Sequence, residues 1–163
     1  MNARIRSFPP IIGAGSRVLI LGSMPGIRSL AAQQYYAHPQ NQFWRIMGAL
    51  FETTLPEDYS AKTAFLLKSG IGLWDVIHSC RREGSLDTAI RQERAYDFEA
   101  LFHRYPEIRF VGFNGAKAHD SFQKHIGFSF PNITFRRLPS TSPAYTMKME
   151  EKLSEWQIIR TYV

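Results

Sequence analysis

The order of residues from Arg17 to Phe51, RVLILGSMPGIRSLAAQQYYAHPQNQFWRIMGALF, constrains this chain more than any other stretch. Residues 17–21 are a β-branched and leucine run of the kind a buried strand requires. Gly22-Ser23-Met24-Pro25-Gly26 then breaks the strand with a glycine-rich turn. The adjacent aromatics Tyr35 and Tyr36 follow, then the polar knot His38-Pro39-Gln40-Asn41. A helix is predicted over residues 42–51, where Phe43, Ile46, Met47 and Leu50 fall at helical spacing. A strand, a tight loop, an aromatic platform and a helix start are thus packed into one short span.

The rest of the chain continues the alternation. Strands are predicted at 71–77, 108–113 and 133–138. Helices are predicted at 61–69, with Ser60 as cap and Gly70 as stop, at 97–104 before Pro106, at 115–126, and at 148–162 with Leu153, Trp156 and Ile159 on one face. Residues 1–16 read as a lead-in without regular structure, and the polar stretch 78–89 as a surface loop. This pattern predicts an α/β fold, a three-layer sandwich with a parallel four-stranded sheet between helices. Such sheets bind ligands beyond the carboxyl ends of their strands. The residues near those ends are Gly22 to Gly26, Asp75, Asn114 with Gly115, and Pro139 to Ser142, mostly small or polar. Four compatible strand ends argue for one shared site, against the plainer reading that loops are simply polar.

At 163 residues, with 44% hydrophobic residues, the chain is long enough for one globular domain, taken as 1–163. The one cysteine, Cys80, can form neither an internal disulfide nor a multi-cysteine metal site. No apolar run approaches the ~20 residues needed to span a bilayer, and MNARIRSFPP contains no signal-peptide core. A soluble cytoplasmic protein is expected. The net charge of +6 favours an anionic partner, with nucleic acid first, over a merely basic soluble protein.

The order GSMPG followed by YYAHPQNQFW resembles the first motif of the uracil-DNA glycosylase superfamily. It is similar to the mismatch-specific branch, which carries GINPG and an AHPxNxFW segment at the same spacing, and more closely to the hypoxanthine-DNA glycosylase branch. With the later motifs the resemblance covers most of the chain. It implies a DNA glycosylase of base-excision repair that extrudes a deaminated base, hypoxanthine first and uracil second, and leaves an abasic site. It implies DNA as the partner, a monomer, and no metal or organic cofactor. A member that binds nucleic acid without catalysis, and an unrelated phosphate-ester enzyme on the same fold, are the competing readings.

Asn41 suits a helix N-cap. Its amide can also orient a water, although an amide cannot take up the proton. In the mismatch branch the third loop residue is the water-positioning asparagine; here that place is Met24, left to line the base site. By resemblance to the hypoxanthine branch, Asn41 takes the catalytic role, with Ser23 as a second candidate or a plain turn residue. Tyr36, immediately before AHP, corresponds to the residue that stacks on the base; the alternative is that both tyrosines are core. Asp75 in GLWDVI is either a base reader or a strand-end salt bridge, and relatives often carry asparagine in this strand. Ionised, it accepts only, and it repels an anionic leaving base unless burial raises its pKa. Asn114 is a turn residue or a contact to base or phosphate, with Lys117 adding charge one turn on.

The run Leu138-Pro139-Ser140-Thr141-Ser142-Pro143-Ala144-Tyr145 resembles the second superfamily motif, a loop that presses on the DNA backbone and enters the duplex. Ser140, Thr141 and Ser142 supply donors for phosphates. Pro143, Ala144 or Tyr145 can fill the gap left by an extruded nucleotide; a proline-stiffened connector is the alternative. The histidine that begins this motif in several uracil glycosylases is replaced by Leu138 or Pro139. Gly22, Pro25 and Gly26 complete the expected DNA-contacting set.

Overall fold

Three buried, mostly apolar runs and the more polar edge run TFRRL become the four strands of a parallel sheet, and the helices between them cover both of its faces. The computed structural model describes residues 3–163. In chain order the elements are β1 (Arg4–Arg6), β2 (Val18–Gly22), α1 (Ile27–Ala32), α2 (Phe43–Leu50), α3 (Tyr59–Lys68), β3 (Ile71–Asp75), β4 (Ile77–Arg81), β5 (Arg91–Ala95), α4 (Phe98–Arg104), β6 (Phe110–Asn114), α5 (Ala116–His125), β7 (Thr134–Leu138) and α6 (Met149–Trp156). Single 3-10 turns lie at Asp87–Ala89 and Gln157–Thr161.

The main sheet runs β3-β2-β6-β7, every pair parallel. Side chains alternate across a strand, and β2 uses both faces. Val18 and Ile20 pack with α2, α3 and α6 through Phe43, Ile46, Leu66 and Trp156. Leu19 and Leu21 pack with α4 and α5 through Phe98, Phe102 and Phe122. Full burial of each such side chain contributes roughly 1.5–3 kcal/mol, so the two apolar layers fix the sheet between the helices. This is the three-layer α/β sandwich that the alternation of elements predicts.

The stretch read as a surface loop over 78–89 departs from that expectation. Ile77–Arg81 is a strand in a second, antiparallel sheet of order β1-β4-β5. Its pairing with the chain's beginning, Arg4 with Arg81, Ile5 with Cys80 and Arg6 with Ser79, supplies the order that its polar side chains do not. That pairing also gives the lead-in its strand. The predicted strand over 71–77 is divided between the two sheets: β3 ends at Asp75, Val76 N–H still donates to Gly22 O at 2.8 Å, and Ile77 begins β4. Asp58, not Ser60, caps α3, its Oδ2 accepting from Ala61 N at 3.0 Å. The short α1 was not expected; it spans Ile27–Ala32 and stops at Gln33 in the left-handed region. The predicted final helix is α6 followed by a 3-10 turn. Among the described residues no helix is long and apolar enough to cross a membrane.

Candidate active site

The carboxyl edge of the main sheet opens into a cavity of about 690 Å³, the size of a small-molecule site. Gly22 ends β2 opposite Asp75 on β3, and Asn114 ends β6 opposite Leu138 on β7. Every residue singled out from the sequence lines this cavity: Gly22 to Gly26, Tyr36, Asn41, Asp75, Asn114, Lys117 and Ser140 to Tyr145. His38, Arg28 and the segment Ser85 to Thr88 join them.

Asp75 forms part of the floor. It is 3% exposed, and its Oδ2 has no hydrogen-bond partner. A Cβ at position 22 would lie 2.6 Å from Asp75 Oδ1 and 3.3 Å from Tyr36 Oη, so only glycine lets the carboxyl and the phenol converge there. Burial pushes the Asp75 pKa up to about 8, and the charge of Asp87 pushes the same way against Arg82. At neutral pH the carboxyl is therefore predominantly neutral and offers a donor beside an acceptor. The acceptor-only aspartate considered from sequence does not describe this group.

Tyr36 sits in the left-handed region at φ 57°. Such backbone is costly for a bulky residue and persists where its neighbours over-determine it. Here Tyr35 N donates to Tyr59 Oη, Ala37 N to Ser29 Oγ, and Trp44 Nε1 to Tyr35 O. The Tyr36 ring stacks on Phe43 at 4.1 Å and 21°. Its buried hydroxyl has no well-formed hydrogen bond, although the Asn114 amide is close enough to oppose slightly the rise in pKa that burial and Asp75 cause.

Asn41 belongs to a chain of bonds from three elements. Thr141 Oγ1 donates to Asn41 Oδ1 at 2.8 Å, and Phe43 N donates to the same oxygen at 3.0 Å. Asn114 Nδ2 donates to Thr141 Oγ1 and Thr141 N returns to Asn114 Oδ1, both at 2.9 Å. Asn41 thus holds the first turn of α2 and borders the cavity at once. Its amide oxygen has used two lone pairs. Asn114 is tied to the Ser/Pro loop rather than standing free at a helix start.

The loop after β7 is braced by α6. Trp156 Nε1 donates to Pro139 O at 2.9 Å, and the buried Lys152 Nζ donates to Ser142 O at 3.3 Å. Ser140 Oγ accepts from Ser142 N, and Ser142 Oγ from Ala144 N, which leaves both hydroxyl protons available to a ligand. Gly115, at φ 98°, lets this loop approach: a Cβ there would stand 3.1 Å from Ser140 Cβ. Pro143, Ala144 and Tyr145 are exposed. Lys117 is not a free cation, since it pairs with Glu93, which also meets His125 Nε2 at 3.2 Å.

The connection between β4 and β5 is the part of the site that sequence reasoning missed. Ser23 Oγ donates to Asp87 Oδ1 at 2.6 Å. Ser85 Oγ accepts from Ile27 N at 2.8 Å, and the buried Arg82 Nη2 donates to Pro25 O at 2.6 Å. Asp87 is open to solvent in the cleft, yet protein surrounds its carboxylate enough that burial raises its pKa, against the Ser23 bond and the charges of Arg82 and Lys117. Met24 turns into the apolar cluster of Ile77, Cys80 and Ile90. The local sequence REGSLDTA carries no signal beyond polarity; only the fold of β4 lays it over the glycine-rich loop.

The uracil DNA glycosylase superfamily model matches residues 9–162. A hypoxanthine DNA glycosylase of Methanosarcina acetivorans is 37% identical over 155 residues, covering 94% of this chain and 96% of the relative. A hypoxanthine DNA glycosylase of Methanosarcina barkeri is 34% identical over 154 residues, covering 93% and 94%. The solution NMR structure of a candidate uracil DNA glycosylase from Methanosarcina acetivorans superposes with a TM-score of 0.81 at 35% identity, covering 96% of each chain.

Proposed function

The chain belongs to the uracil DNA glycosylase superfamily, and we propose that within it this enzyme releases hypoxanthine first and uracil second from an extruded nucleotide. It is a DNA glycosylase of repair: it hydrolyses the N-glycosidic bond and leaves an abasic site. The nucleotide leaves the base stack to reach a cavity that no duplex can enter.

The observation that carries the choice of these bases over their amino parents is the neutral carboxyl of Asp75 on the floor, with its Oδ2 unpartnered. Hypoxanthine presents N1–H beside O6, and uracil presents N3–H beside O4. A neutral carboxyl has an acceptor and an O–H donor side by side, so it pairs with that edge through two hydrogen bonds. Adenine and cytosine present an amino donor and an unprotonated ring nitrogen and lack that N–H, so the carboxyl separates hypoxanthine and uracil from their amino parents; guanine and thymine share the edge and are not separated by it. Tyr36, backed by Phe43, offers its other face to the base, and base–aromatic stacking is worth roughly 1–3 kcal/mol.

Asn41 holds the attacking water beside the sugar through its Nδ2, since its Oδ1 already accepts from Phe43 N and Thr141 Oγ1, and positions it without deprotonating it. Ser23 acts through the carboxylate it bonds. Ser140 and Ser142, whose hydroxyl protons are free, meet phosphates at the rim beside Gly26, with Lys117 adding a partly neutralised charge. Thr141, buried and bonded to both asparagines, and Gly22 and Pro25, buried behind it, shape the cavity instead of contacting DNA as the sequence suggests. Pro143, Ala144 or Tyr145 enters the duplex. The test is a panel of duplexes, each with one hypoxanthine, uracil, xanthine or normal base, scored for alkali-labile abasic sites under single turnover. Hypoxanthine cut fastest and uracil next is the expected order. Binding without cleavage of any base would overturn the reading of this chain as a catalyst.

A further inference from the structure

We propose that Asp75 and Asp87 form an acid–base pair that divides the proton movements of base excision, Asp75 giving a proton to the departing base and Asp87 receiving one from the water. This deepens the reading of the cavity as a hypoxanthine site and rests on it.

The two carboxyls border one cavity at different depths. Asp75 is sealed on the floor, where the base lies, and its Oδ2 points to no protein partner. Asp87 stands in the solvent-open part, where the sugar and the water are, with one oxygen held by Ser23 at 2.6 Å. The water needs an acceptor for its proton. Asn41 cannot serve, since an amide takes up no proton and its oxygen already accepts from Phe43 N and Thr141 Oγ1. Met24, on the glycine-rich loop, is packed into an apolar cluster and offers no acceptor. Asp87 reaches the same loop from the β4–β5 connection and supplies the missing acceptor.

Their surroundings separate the two protonation states, as an acid and a base working together require. The Tyr36 hydroxyl converges on the Asp75 carboxyl, and Tyr35, Tyr59, Tyr96, Arg82 and Asp87 are the titratable groups whose charge is felt there. None of the tyrosines brings a compensating positive charge, and burial holds the Asp75 proton on up to about pH 8. Burial raises the Asp87 pKa as well, but Asp87 opens to solvent and faces the Ser23 hydroxyl, Arg82 and Lys117, which favour its ionised form.

The step balances. Water oxygen bonds to C1′ as its proton passes to Asp87. The C1′–N9 bond breaks and its electron pair goes to the base, where charge spreads to O6 and is met by the Asp75 proton. The base departs neutral and tautomerises in water. Asp75 is left ionised and Asp87 protonated, and exchange with solvent restores both.

The test compares kcat/KM between pH 5 and 9 on a hypoxanthine duplex and on one carrying 7-methylhypoxanthine, whose positive charge lets the base leave without a proton. The wild-type enzyme should lose rate above about pH 8 on hypoxanthine only, and lose rate at acid pH on both. Asp75→Asn should cost roughly 100- to 10,000-fold on hypoxanthine, abolish the alkaline limb, and cost less than about tenfold on the methylated base. Asp87→Asn should slow both substrates and remove the acid limb. An alkaline limb equal on both substrates, or limbs that survive in the variants, would overturn the pair. Should a variant fail to fold, as its thermal melt reports, the two wild-type profiles decide alone. If hypoxanthine is not released at all, the assignment of the base is wrong; the same comparison of uracil with 5-fluorouracil, a better leaving group, then decides the pair separately.

Discussion

Thr141 stands between the two asparagines of the site: its hydroxyl accepts from Asn114 Nδ2 at 2.9 Å and donates to Asn41 Oδ1 at 2.8 Å, across 100 residues of sequence. One buried hydroxyl thereby couples the end of β6, the Ser/Pro loop and the start of α2. Thr141→Val keeps the shape and deletes the bonds. A buried amide left without its partner costs about 1–3 kcal/mol, so the variant should melt earlier. It should also excise more slowly at unchanged DNA affinity, because the Asn41 amide is no longer held. Thr141→Ser should restore most of both. Equal melting and equal rates in Thr141→Val would show that the bridge orders nothing.

Asn41→Ala separates catalysis from binding. The side chain holds one backbone N–H of α2 and borders the cavity. Gln42, not Asn41, is the N-cap of α2, and losing the one bond to Phe43 N costs roughly 0.5–1.5 kcal/mol, which leaves the protein folded. Single-turnover excision should fall by about 100-fold or more while duplex affinity persists. A near-normal rate would move the water-positioning role to Ser23 and Asp87.

Affinity for duplex DNA should fall steeply with salt. The net charge is +6, and the loop 139–145 offers hydroxyl donors at an exposed rim. Each phosphate contact releases condensed counterions, so log affinity against log salt should be linear and steep, with at least about a tenfold loss between 50 and 200 mM. Titration by fluorescence anisotropy measures the slope. A flat line would remove phosphate contact as the main term.

Much of this site was legible because strand ends and glycine turns are local signals. Gly22, Asp75, Asn114 and Ser140 are each named by a strand that stops and a polar residue that follows. The electrostatics were not legible. Whether Asp75 is ionised depends on its burial and on Asp87 and Arg82, which reach it from the connection after β4. The place of Asp87 depends on β4, a strand whose order comes from pairing with residues 4–6. Pairing between distant segments leaves no periodicity in either, and so the segment carrying Asp87 reads as a plain surface loop.

Keeping Asp75 proton-bound has a thermodynamic consequence that can be read without any substrate. In the unfolded chain this carboxyl titrates near 3.8, in the folded protein near 8. Between those values the native state binds a proton that the unfolded state does not, so stability falls as pH rises through the window and levels off above about pH 8. Below the unfolded value both states are protonated and the contribution is fully present. The accumulated loss is on the order of 3–6 kcal/mol, a large share of a small domain's stability. Asp87, raised in the same direction, adds to the slope. Asp75→Asn keeps the size of the group and its polar character and cannot ionise, so the variant should match the wild type at acid pH and melt progressively higher than it from neutral to alkaline pH. Such a gain in stability joined to a loss of excision marks a group held in place for chemistry at the expense of the fold. Thermal melts of both proteins at steps from pH 4 to pH 9 decide it: parallel curves would mean that Asp75 ionises as an ordinary carboxylate and that the floor of the cavity is charged at neutral pH.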